Sequence, residues 1–114
     1  MFELIDKLNH IQYEELDIDE ILSQRESHPF DTEWMRVYKD IKELKKGKKF
    51  DDTTDIEKKA YTTVYKKSDN DELAGYICDD FGLIADSKVL NYYDEWLDKL
   101  AACYEKGIIP CGEL

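Results

Sequence analysis

Apolar residues recur three and four positions apart along most of this chain, and runs that alternate every second residue are sparse. That spacing is the mark of amphipathic helices, each with one face turned to a core. The clearest stretch opens after Pro29, near Asp31 or Thr32, and carries Trp34, Val37, Tyr38, Ile41 and Leu44 on one face. Lys45 and Lys46 suit the negative end of the helix dipole, and Gly47 is placed to close it in the left-handed conformation. A second stripe of Tyr93, Trp96, Leu97, Leu100, Ala101 and Tyr104 marks a long last helix, ended by Lys106, Gly107 and Pro110.

Between them, Thr54-Asp55-Ile56-Glu57 has the form of a capping box and opens a helix bearing Ile56, Ala60 and Val64, with Tyr61 and Tyr65 alongside. Asp69-Asn70-Asp71-Glu72 then caps a helix whose inward positions are Leu73, Ile77, Phe81 and Ile84. Gly75 and Gly82 each cost that helix about 1 kcal/mol relative to Ala, unless a close helix approach requires one of them. Residues 2–12 and 18–26 read as two shorter helices, with Leu4, Ile5, Leu8 and Ile11, then Ile18, Ile21 and Leu22, inward. With no repeat and no long linker, the expectation is a single all-α domain over residues 1–114, a compact bundle of about five or six helices.

Charge changes this picture more than size does. The 114 residues carry a formal net charge of −11, and 38% of them are charged, well above the usual ~25%. Fourteen aromatics spread along the chain argue against disorder all the same. Residues 1–40 hold 4 basic and 11 acidic side chains, residues 41–67 hold 9 and 5, and residues 68–114 hold 3 and 11. Such a field repels nucleic acid and anionic membrane, and attracts a basic protein. An odd cysteine count (Cys78, Cys103, Cys111) without C-x-x-C spacing points to a reducing compartment. The first residues lack both the basic start and the apolar run of a signal peptide, and no stretch approaches the ~18 apolar residues of a membrane span. The expectation is a cytoplasmic protein.

Candidate chemistry is thin. Asp80-Phe81-Gly82 copies the magnesium-binding tripeptide of protein kinases, but a glycine-rich loop and an H-R-D are absent from the sequence. Asp69-Asn70-Asp71 begins like a calcium loop, yet Leu73 and Ala74 stand where an oxygen ligand and glycine are needed. Neither His10 nor His28 has a partner at a metal-ligand spacing, so both read as surface residues; Cys78 and Cys103 read as core thiols, and Cys111 as an exposed tail residue. No catalytic residue, cofactor or metal is expected.

One constellation remains. With Leu73, Ile77, Phe81 and Ile84 inward, Glu72, Tyr76, Asp79 and Asp86 fall on the outer side of their helix. In the last helix the inward stripe, Tyr93 included, turns Tyr92 and Glu95 outward, with Asp94 and Asp98 on the remaining polar side. Tyrosines among carboxylates make a recognition surface, since the rings bury area at low entropic cost while the acids steer and pair with Arg or Lys.

Length, acidity, helical pattern and the missing catalytic signature together resemble the immunity proteins of bacterial toxin systems, among them those of contact-dependent growth inhibition. Asn91-Tyr92-Tyr93-Asp94-Glu95 is similar to the paired tyrosines with adjacent acids that helical nuclease-colicin immunity proteins place on their toxin-binding face. The resemblance implies a basic toxin domain as partner, covered at its active site or beside it. A regulatory or adaptor domain, or a small enzyme with a carboxylate site, are the alternatives that sequence leaves open.

Overall fold

The helical spacing is realised in the structure, a computed structural model that describes residues 2–47 and 53–114. Among the described residues every regular element is a helix: α1 (Phe2–Leu8), a 3-10 turn (Tyr13–Glu15), α2 (Ile18–Arg25), α3 (Phe30–Lys45), α4 (Thr54–Ser68), α5 (Asp71–Leu90) and α6 (Glu95–Glu105). The fold is an all-α bundle, as expected. Of the basic middle segment, residues 48–52 lie outside the described residues.

Short polar side chains set the helix starts by satisfying N–H groups that lack an intrahelical acceptor. Asp17 accepts from the Glu20 N–H at 3.1 Å, Asn70 from Leu73 at 2.9 Å, and Asp94 from Leu97 at 3.0 Å. Asp69, left-handed at φ 54°, ends α4, so two residues turn the chain into α5 and the two helices pack as a hairpin. Every residue from Phe81 to Ala85 is buried. At 3.6 residues per turn, five successive buried positions leave the middle of α5 without an exposed face. Ile5, Leu8, Leu22, Val37, Ile41, Ala60, Val64, Trp96, Leu97 and Leu100 join it in the core.

A polar knot lies inside that core. The Asp80 carboxylate is fully buried and accepts from both terminal nitrogens of Arg25 (3.0 and 2.7 Å), from Trp34 Nε1 (2.9 Å) and from the Tyr104 hydroxyl. Arg25 also donates to the Pro110 carbonyl at 2.9 Å, which ties the segment after α6 to α2. Burial opposes the Arg25 charge, but the adjacent Asp80 more than offsets it, and the guanidinium pKa is raised. Burial and the same carboxylate raise the Tyr104 pKa, so its hydroxyl keeps the proton it donates. Four helices are thus joined through one carboxylate.

Several expectations are corrected. Tyr93 does not face inward: it is 83% exposed, because Asp94 caps α6 and the helix starts only at Glu95, leaving the tyrosine pair in the turn before it. Tyr38 and Leu44 belong to the ladder on α3 but stay exposed, since Val37 and Ile41 make the core contact; Tyr38 overhangs a groove. The α4 cap is Thr53 rather than Thr54, and its hydroxyl donates to the Glu57 carboxylate at 2.9 Å. Cys111 is half-buried, its Sγ 3.6 Å from Gln24 Oε1. Cys78 and Cys103 are likewise half-buried, and burial pushes the Cys78 thiol up to about 11. Of the two glycines of α5, Gly82 marks the close approach, where a Cβ would stand 2.5 Å from Glu57 Oε1; nothing lies within 4 Å of that position at Gly75.

Candidate partner-binding surface

Because α5 is enclosed along its middle, few of its positions can reach a partner. Glu72 is exposed in its first turn. Tyr76 is half-buried and donates its hydroxyl to Glu26 at 2.8 Å, a bond that raises its pKa. Asp79 is exposed, while Asp86 is half-buried and paired with Lys45 at 2.7 Å.

Opposite them, α3 supplies the wall that sequence reading assigned to the core. Trp34 and Tyr38 stack with centroids 5.5 Å apart and planes 18° from parallel. With Met35 and Ile41 they face Asp79, Gly82, Leu83 and Asp86 across a groove of about 490 Å³. Glu57 of α4 reaches into the same groove, over the space that Gly82 leaves free. A smaller hollow adjoins it, sharing Trp34, Met35 and Asp79 and adding Tyr76, Phe30, Asp31 and Arg25.

Asp79 stands where the two meet. It takes no hydrogen bond or ion pair from another described residue. Desolvation raises its pKa, helped by the charges of Asp80 and Glu57 and opposed by Arg25. An ionised carboxylate in that position gains more from an incoming cation than one already paired.

The remaining four residues gather elsewhere, around the turn from α5 to α6. Tyr92 is half-buried and donates to Asp40 at 3.0 Å; burial first, and that bond second, push its phenol up to about 12. Asp94 both caps α6 and receives a bidentate pair from Arg36 at 2.8 and 3.2 Å, which lowers its pKa. Glu95 and Asp98 are exposed, with Lys99 3.8 Å from Glu95. Asp94 and Glu95 border one hollow and Tyr92 and Asp98 another, so the eight residues do not converge on one groove. Asp86 and Asp94 are already neutralised by the chain's own cations.

Sequence spacing assigns Trp34 and Tyr38 to the core, Asp31 to the helix start and Met35 to no site, because it gives their helix a single buried face. Arg25 and Asp80 did leave a signal: each is a charge in phase with an apolar stripe, Ile18-Ile21-Leu22 in one helix and Leu73-Ile77-Ile84 in the other. Among the described residues no group of three or more His, Cys, Asp or Glu side chains is placed to hold a metal ion. No described helix is long and apolar enough to cross a membrane.

A family model described as Immunity protein PIM1 matches residues 3–111. The chain belongs to that family. Membership supports an immunity function, exerted on a protein partner, for this PIM1-family bundle. A comparison with curated proteins returns no match.

Proposed function

We propose that this PIM1-family protein is a non-enzymatic inhibitor that neutralises a cognate basic toxin of the nuclease type in the cytoplasm, by covering the toxin's active site or the surface beside it. The observation that carries the reading is Asp79: an exposed carboxylate with no hydrogen bond or ion pair to another described residue, set between two concavities lined with aromatic side chains. Exposed Tyr38 and Met35 beside half-buried Trp34, with a nearby acid, fit the composition of an interface core. The net charge of −11 steers a basic partner and disfavours nucleic acid. Glu72, Tyr76, Asp79 and Asp86 form the centre of the contact in this reading, and Tyr92, Asp94, Glu95 and Asp98 a second patch beyond it.

Co-expression tests it. The protein should rescue cells that the toxin encoded beside its gene would kill, and association should slow as salt is raised. Asp79→Lys should weaken binding and rescue while leaving the fold intact, because the side chain faces solvent. Glu95→Lys should do less. If Asp79→Lys protects as well as the wild type and Glu95→Lys does not, the contact lies at the α5–α6 turn. A harmless neighbouring gene product would overturn the toxin reading itself.

A further inference from the structure

The groove between α3 and α5 has one rigid apolar wall that no described element covers. Trp34 Nε1 is anchored to the buried Asp80 at 2.9 Å, and Tyr38 stacks on the indole. Met35, beside them, is unbranched and adapts its shape to what it meets. Tyr38 is 40% and Met35 36% exposed. Leu83 stands across from them on α5. Aromatic surface held open on a fixed frame costs little entropy to cover, as at the core of an interface.

The groove is also polarised along its length. Asp79 lies at the end where Trp34 and Met35 pass into the smaller hollow, and the charge of Glu57 reaches it there. Asp86 follows about 10 Å further along α5, but Lys45 pairs with it at 2.7 Å and Lys42 lines the same groove. Only the Asp79 end offers negative charge to a newcomer. Leu83 is one helical turn, about 6 Å, from Asp79. Whatever covers the apolar wall and meets that charge carries an apolar side chain and a cation about 6 Å apart, the spacing of helix positions i and i+4. Both walls are helices, so an extended segment would find no backbone partners between them. A helix brings its own backbone groups already paired.

We propose that this groove receives one amphipathic helix of the protein partner, with an aliphatic side chain seated between Tyr38 and Leu83 and an arginine or lysine one turn away at Asp79. The inference rests on the reading of the partner as a basic protein, but its first test does not require the toxin.

That test is a nuclear magnetic resonance titration of the full chain with an alanine-based helical peptide carrying leucine and arginine four positions apart. One control is an isomer with the two residues two positions apart, on different faces of the helix. A second control carries citrulline for arginine, which removes the charge. The first peptide should move the Trp34 indole and Met35 methyl resonances saturably, and the isomer should bind about tenfold more weakly, a loss of about 1.4 kcal/mol. Tyr38→Ala should cost about as much, while Tyr38→Phe, which keeps the stack, should bind as the wild type does. Tyr65→Ala, which removes an exposed ring outside the groove, should change nothing. Asp79→Asn should weaken the arginine peptide and leave the citrulline peptide unaffected. Circular dichroism melts check that each variant folds. The proposal is overturned if the isomer binds equally well, if the bound peptide is not helical, or if Tyr65→Ala costs as much as Tyr38→Ala. Undiminished rescue from the toxin by Tyr38→Ala would also overturn it and keep the immunity reading. A harmless neighbouring gene product, with the peptide results intact, would do the reverse.

Discussion

Replacing Asp80 by alanine removes the acceptor on which Arg25, Trp34 and Tyr104 all converge. What remains is a guanidinium whose side chain is 3% exposed, a phenol that is fully buried and an indole N–H, all facing a gap. Breaking a buried pair by removing one partner costs about 3–5 kcal/mol, because the surviving charge is left uncompensated in a poorly solvating interior. For a chain of this length each kcal/mol is worth about 4 °C, so Tm should fall by about 12–20 °C. Circular dichroism melts at neutral pH measure this directly, with urea unfolding to check that the m-value is unchanged. Arg25→Met should be costly as well, and the double variant should lose less than the two single losses together, since each removes the other's stranded charge. A loss below about 1 kcal/mol for Asp80→Ala, or strict additivity in the cycle, would show that water rather than protein solvates this carboxylate.

Gly75→Ala should stabilise α5 by up to about 1 kcal/mol, because nothing lies within 4 Å of the new methyl group. Gly82→Ala should show no such gain in urea unfolding, since its methyl would displace the Glu57 carboxylate that Thr53 holds; an equal gain at both sites would mean that Glu57 is free to move. Two carboxylates should respond to pH with opposite sign. Asp94 has a depressed folded pKa, so it contributes stability above the unfolded carboxylate pKa that is lost as pH falls through the folded value. Asp79 has a raised one, so its ionisation weighs against the fold until pH falls through that raised value. At neutral pH Asp79→Asn should therefore raise Tm slightly and Asp94→Asn should lower it, with both differences shrinking under acid conditions. A destabilised Asp79→Asn at neutral pH would contradict the cause assigned to its shift.

Helix number, class and most boundaries follow from local sequence. The three- and four-residue spacing, the caps at Asn70 and the left-handed Gly47 act within one or two turns, so no distant contact is needed to read them. The acidity and its clustering are local in the same sense, and with the helical pattern they sufficed for the resemblance to immunity proteins that family membership bears out. Tertiary structure decided the rest. Tyr93 and Tyr38 keep helical register with buried neighbours, yet one lies before a cap and the other at the open edge of a groove; periodicity cannot tell a core face from a face that ends at its rim. Glu72, Tyr76 and Asp79 could be placed on the outside of α5 from spacing alone, but not that Asp86 and Asp94 are neutralised by Lys45 and Arg36, 41 and 58 residues away in sequence. The Arg25–Asp80 contact spans 55 residues. A charge in an apolar stripe announces that it needs a partner, and only the packed bundle brings the opposite charge to it, because burial makes the pairing obligatory while sequence spacing says nothing of who is near.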